Sequence, residues 1–188
     1  MTIENKEKVM IFIDGMNLMY SARAHGIKVN YRNLADILAN GRYLVRPYLY
    51  QGIDDDPERQ DRDEKFFNTL RDFGFDVRTV PMKRLENGRV QEKGTDVELA
   101  IDAILYGFRN HYDTAILVSG DQDFTRVVEV IKDIGKRIEI AAFASSISAE
   151  FRRKADSFID LTTIIEDIKL SDFEPREEQD GFSEDREY

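Results

Sequence analysis

The sequence has no cysteine and no tryptophan, and only two histidines and four prolines in 188 residues. Without thiols, disulfides, zinc–thiolate centres and cysteine nucleophiles are excluded. His25 and His111 are too few for a histidine-based metal site, so any metal here has oxygen ligands. No apolar run approaches the ~20 residues of a membrane span. The opening residues, MTIENKEKVMIFID, lack the basic, apolar and small-residue order of a signal peptide. These absences fit a cytoplasmic protein with no membrane partner.

What the chain does have is charge. It is 41% hydrophobic and 34% charged, with a net charge of -10. The net charge argues against nucleic acid as a partner, but its distribution weakens that objection. Residues 171–188, SDFEPREEQDGFSEDREY, hold eight acidic against two basic residues, a net of -6 that leaves -4 for the rest. Such a tail has little to bury and reads as disordered. The division expected is one domain over residues 1–170 followed by an acidic tail over 171–188. The acidic surface and tail also suit a protein partner. A second acidic run, DDDPERQDRDE (54–64), lacks the spacing of a calcium-binding EF-hand and reads as a solvated loop.

Apolar runs and helical stripes alternate along the chain. VMIFID, YLVRPYLYQG, FDVRTVPM, TAILVSG and RIEIAAFA read as five strands, with Pro47 placing the second near an edge. Helices are expected from Asn17 to Ala24, over YRNLADILANG, from about Glu58 to Phe73, over GTDVELAIDAILYGFRN, over FTRVVEVIKDIG, and near Ala149 to Ala155. In the third, Phe66, Phe67, Leu70 and Phe73 share a face. In the fourth, Val97, Ala100, Ile101, Ile104, Leu105 and Phe108 form one apolar stripe. LENGRV carries the Asn-Gly hairpin signal. FIDL follows as a small apolar segment. Alternating strands and helices imply an α/β fold with a parallel sheet covered on both faces.

The chemistry gathers where strands end. Asp14 closes the first strand, and Asp121 and Asp123 follow the fourth. Sites in open α/β sheets form beyond the carboxyl ends of strands. If those two strands are neighbours, the three carboxylates share one edge. In KGTDVELA, Thr95 reads as an N-cap with Glu98 completing a capping box, and Asp96 takes the first helical position. On a helical wheel Asp96 flanks the apolar stripe on one side, with Glu98 and Asp102 together on the other as a solvated pair. Asp96 is therefore the better partner for Asp14. Carboxylates without thiols suit Mg²⁺ or Mn²⁺, and one or two such ions assist phosphoryl chemistry. Each acid also has a structural reading: Asp14-Gly15 as a turn, Asp123 as an N-cap, Asp96 as a response to the helix dipole. Their joint placement favours a site. Asn17 and Ser119 lie beside these acids, as a hydrogen-bonding or helix-start residue and as an orienting or turn residue. Lys93 precedes the acidic helix start.

FIDGMN, KGTDVELAIDAI and AILVSGDQDF, in this order, resemble the NYN domain family, specifically its LabA-like bacterial branch, within the PIN-like nuclease superfamily. The resemblance spans Val9 to Phe143. It implies a PIN-like three-layer α/β/α sandwich with a mainly parallel sheet of order 3-2-1-4-5. It also implies a metal-dependent ribonuclease site in which Asp14, Asp96, Asp121 and Asp123 are the acidic residues. Asn17, Ser119 and Lys93 match polar positions of the motifs, whereas Thr95 stands where relatives have an aliphatic residue. The function expected is RNA hydrolysis, as an endoribonuclease, with Asp14, Asp96, Asp121 and Asp123 around Mg²⁺ or Mn²⁺. Lys83, Arg84, Arg89 and Lys93 would then guide the RNA backbone. The alternative is a non-catalytic regulator that keeps the fold and binds RNA or protein. A haloacid-dehalogenase-type phosphatase needs Asp-x-Asp, but Asp14 is followed by Gly15, Met16 and Asn17. A dinucleotide enzyme is disfavoured because no Gly-x-Gly-x-x-Gly follows the first strand.

Overall fold

The computed structural model describes residues 6–53, 56–84, 90–91 and 94–171. Six strands form one parallel sheet: β1 (Lys8–Asp14), β2 (Tyr43–Ile53), β3 (Asp76–Pro81), β6 (Thr114–Val118), β7 (Arg137–Ala142) and β8 (Ser157–Asp160). The order across the sheet is β3-β2-β1-β6-β7-β8. Counting only these strands, that is the expected 3-2-1-4-5 with a sixth strand added. The addition is Ser157–Asp160, which contains most of the FIDL segment. Four residues carry too short a pattern to declare a strand, and pairing with β7 supplies the definition. β4 (Lys83–Arg84) and β5 (Val90–Gln91) pair as the expected antiparallel hairpin. The intervening Asn-Gly, Arg89, Lys93 and the tail from 172 onward lie outside the described residues.

Both faces of the sheet are apolar, as a sheet sandwiched between helices requires. Along β1, Val9, Ile11 and Ile13 enter one core while Met10 and Phe12 enter the other. The first core is covered by α1 (Gly15–Ala24), α2 (Tyr31–Ala39), α3 (Pro57–Asp72) and α7 (Ile165–Ile168), through residues such as Leu18, Leu34, Phe67 and Ile168. The second is covered by α4 (Thr95–Phe108), α5 (Thr125–Asp133) and α6 (Ala149–Arg152), through Leu99, Val128 and Phe151 among others. Pro47 sits in an interior strand, but the ladder to β3 begins only at Tyr48. Pro47 therefore falls where β2 still has one open side, which reconciles it with its missing amide donor.

Three helical expectations change. On α3, Phe67 and Leu70 are buried, whereas Phe66 stays exposed, as does Phe73 just beyond the helix end. Thr95 is not the cap of α4. Gly94 is the N-cap, at a φ of 104°, and Thr95 is a buried first-turn residue. That left-handed φ favours glycine, so the backbone conformation selects the cap in place of the side chain. The largest change concerns the face of α4. Thr95, Leu99, Ala103 and Gly107 are buried, while Val97, Ile101 and Phe108 project outward, Phe108 being 77% exposed. α4 is apolar almost all round, so its apolar pattern leaves the core-facing side undefined. Small residues decide it, because they let the helix approach the sheet closely. At Gly107 a Cβ would collide with the Tyr112 ring and with Ile134.

Candidate active site at the β1–β6 edge

β1 and β6 are adjacent and parallel, so Asp14 and the Ser119–Asp123 turn emerge side by side. Asp14 ends β1 and caps α1: its Oδ1 accepts the Asn17 backbone N–H at 3.1 Å. The Ser119 hydroxyl donates to the other oxygen, Oδ2, also at 3.1 Å. The same Ser119 Oγ accepts the backbone N–H of Asp121 at 3.1 Å. Asn17 ties the loops a second time, its Oδ1 accepting the Gly120 N–H at 3.0 Å. Asp121 caps the short 3-10 helix Gln122–Phe124, and its Oδ1 accepts the Asp123 N–H at 2.9 Å. Ser119 is 2% exposed, Asp14 and Asp121 are half-buried, and Asp123 is exposed.

This resolves the structural readings of the acids. Asp14 is a helix cap rather than a plain turn. Asp121, not Asp123, is the cap after β6, and α5 starts at Thr125 with no side-chain cap. Each cap uses one oxygen on an amide, and on Asp14 the second oxygen accepts the Ser119 hydroxyl.

Asp96 is exposed at the start of α4. α4 ends beside the beginnings of β1 and β6, where Asp113 bonds Lys8 through both backbone and side chain. Its first turn therefore lies at the opposite edge, the one Asp14 and Asp121 occupy. Asp96 is also in helical line with Ala103 and Gly107, on the sheet-facing side. Asp14, Asn17, Ser119 and Asp121 are thus joined through hydrogen bonds, and Asp96 shares their edge. Among the described residues, no three His, Cys, Asp or Glu side chains stand close enough together to hold a metal ion. The expected convergence of Asp14, Asp96 and Asp121 into one three-carboxylate group is accordingly not seen in this structure. The donor chemistry still fits a hard, largely hydrated cation. The groups are oxygens on rigid elements, and magnesium needs few direct protein ligands. Lys83 and Arg84 form β4, the first strand of the hairpin that precedes α4 in the chain.

Asp102 corrects the sequence reading. It is half-buried and accepts the Tyr50 hydroxyl at 2.9 Å, so it is not a solvated flank residue. Burial and the Asp102 carboxylate push the Tyr50 phenol far above the ordinary tyrosine range. Tyr50 is the register partner of Asp14 on β2, which brings this pair close to the site. Its only sequence signal was the position of Asp102 directly before Ala103 on a small-residue face. Two glycines were also missed as site residues. A Cβ at Gly15 would strike Gln51 and the Tyr50 carbonyl, and one at Gly120 would strike the Ser146 carbonyl. Glycine at the end of a strand pattern can signal such close backbone approach.

Residues 8–165 match the NYN domain family. The chain belongs to that family. This NYN chain is 30% identical over 164 residues to the low amplitude and bright protein LabA of Synechococcus elongatus, covering 84% of this chain and 85% of LabA. Its fold resembles the crystal structure of VPA0982, a protein of unknown function from Vibrio parahaemolyticus. There the TM-score is 0.74 and the identity 29%, over 90% of this chain and all of the other. Among the described residues of this NYN protein, no helix is long and apolar enough to cross a membrane.

Proposed function

We propose that this NYN protein is a divalent-metal-dependent endoribonuclease that hydrolyses RNA phosphodiesters at the β1–β6 edge. The observation that carries this reading is the cross-tied edge, in which Ser119 Oγ binds both the Asp14 carboxylate and the Asp121 amide. A fold needs one capping contact per helix start. Here two caps from distant segments are locked together, which sets their carboxylates on a rigid base. Family membership supports a nuclease-like or RNA-related module.

Asp14 and Asp121 would hold Mg²⁺ or Mn²⁺, with Asp96 contributing a further carboxylate from the first turn of α4. When bound, such an ion activates water and stabilises charge on the transferring phosphoryl group. Ser119 fixes the rotamer of Asp14 and the backbone of Asp121. Asn17 holds the Gly120 amide, so the loop after β6 keeps its turn. Asp123, exposed beside Asp121, would be a further ligand or would orient the attacking water. Lys83, Arg84, Arg89 and Lys93 would guide the RNA backbone.

The second reading is a regulatory module that binds RNA or protein without cleaving. It is favoured by the lack of a three-carboxylate group among the described residues. Purified protein, incubated with single-stranded RNA and Mg²⁺ or Mn²⁺, separates the two readings. Cleavage that stops with chelator and is lost in Asp14→Asn and Asp121→Asn supports the enzyme. RNA binding without cleavage in either metal supports the regulator. Neutralising Lys83, Arg84, Arg89 and Lys93 should lower affinity and flatten its dependence on salt.

A further inference from the structure

α4 has two apolar sides, and among the described residues only one is packed. Against the sheet it buries Leu99 and Ala103. On the outer side Val97, Ile101 and Phe108 are 54%, 57% and 77% exposed, with Ile104 half-buried between them. A helix that already buries Leu99 and Ala103 and still holds Val97, Ile101 and Phe108 in water offers a second apolar face for a contact. The outer stripe carries no charge, although the chain as a whole is at -10. RNA is therefore a poor occupant. The acidic segment 172–188 is also a poor one, since it would bring like charge to Asp96 and Glu98.

The arrangement of residues points to the occupant. Val97 and Phe108 lie eleven residues apart, three helical turns, and so share one face. Glu98 and Arg109 are also eleven apart, both exposed, and share the adjoining flank. When two copies of a helix pack antiparallel about a two-fold axis, each flank meets the same flank of the partner. With the axis between residues 102 and 103, Val97 of one copy meets Phe108 of the other, and Ile101 meets Ile104. At that setting Glu98 of each copy lies two residues, about 3 Å along the helix, from the level of the partner's Arg109, an offset that these two long side chains span at both ends of the contact. The apolar register sets the axis, and the charged flank is complementary at that axis.

We propose that the outer face of α4 is a homodimer interface in which α4 packs antiparallel against α4 of a second copy of this chain. Asp96 then stands at opposite ends of the paired helices, about 20 Å apart along a helix of this length. The two carboxylate edges stay separate, so the pairing does not depend on whether the site cleaves RNA.

The test is sedimentation velocity of the full chain over a concentration series. The expected result is a monomer–dimer equilibrium in the wild type. Ile101→Glu should raise the dissociation constant ~100-fold or more, because it places a charge at the centre of the contact. Glu98→Arg or Arg109→Glu alone should weaken dimerisation about 5- to 10-fold, since each sets like charges opposite one another. The double variant Glu98→Arg/Arg109→Glu should return to within about 3-fold of wild type, because the pairs are restored with reversed sign. If Ile101→Glu unfolds, the charge variants carry the test alone, both sites being exposed. A wild type that is monomeric at every concentration overturns the proposal and leaves the face to the tail or to a different protein. A dimer indifferent to these substitutions, or one that the double variant fails to restore, overturns it equally.

Discussion

The two ends of the β-sheet treat carboxylates in opposite ways. At the amino ends, Glu139 of β7 is 9% exposed and receives a two-pronged contact from Arg42, at 3.0 and 2.9 Å. Arg42 also donates to the Leu38 and Ala39 carbonyls and stands 3.8 Å from Glu7. At the carboxyl ends, Asp14 and Asp121 are held by a hydroxyl and by backbone amides. Those donors fix position while leaving the negative charge available. A guanidinium cancels a buried charge and serves the fold. Dipolar donors orient a half-buried charge and leave it able to attract a cation.

The sharpest way to break this comparison is at the carboxyl end. Asp121→Asn and Asp14→Asn should each reduce RNA cleavage by ~10²-fold or more, the scale seen when a charge-stabilising group is removed. With chelator present, thermal unfolding of Asp121→Asn should match or exceed wild type, because one of several neighbouring like charges is gone. With Mg²⁺ or Mn²⁺ the order should reverse, since the wild type gains more from binding the ion. A large loss of stability in chelator, with equal response to metal, would make Asp121 a plain cap.

Glu139→Ala probes the other end. It should leave activity per folded molecule unchanged yet cost about 3 kcal/mol in denaturant unfolding, by leaving Arg42 with only its longer ion pair to Glu7. Arg42→Met/Glu139→Met should cost less than either single change. A strong effect on cleavage would dissolve the division between a structural and a functional end.

Ser119→Ala sharpens the same comparison by separating orientation from charge. It removes the hydroxyl but keeps every carboxylate, and should lower cleavage ~10- to 100-fold with metal affinity reduced in step. Its stability cost should be only about 1 kcal/mol. The smallest effect is expected from a solvent-exposed pair. Hydrogen bonds from Lys154 and Arg126 hold the Glu129 carboxyl below its ordinary range. Stability from this source is present above the unfolded-state value and is lost as pH falls through the lower folded one. Lys154→Met should therefore flatten slightly the acid limb of stability against pH, measured as unfolding midpoint, without touching cleavage.

Much of the fold was legible because strand and helix periods are local. VMIFID, TAILVSG and RIEIAAFA are each apolar on both faces, which a parallel sheet under helices demands, and all three are central strands. Asp14, Asn17, Ser119 and Asp121 were legible as site candidates because each follows the end of a recognisable strand. Asp102 was not, because its partner Tyr50 lies 52 residues away and nothing local reports that contact. The buried face of α4 was illegible for a related reason. Hydrophobicity ranks Ile101 and Phe108 above Ala103 and Gly107, but close helix–sheet approach selects the small residues.

The sequence by itself determined which residues are chemically able to act: oxygen ligands, no thiols, two histidines, and carboxylates at strand ends. It also determined the order of strands and helices, because hydrophobic period and turn chemistry act over a few residues. Tertiary structure alone decided which groups meet. It made β1 and β6 neighbours, so that Ser119 reaches Asp14 across 105 positions of chain. It placed Gly94 rather than Thr95 at the helix cap, and turned the large apolar side of α4 to solvent. These outcomes depend on shape and distance between segments far apart in the chain, and no local pattern encodes a distance.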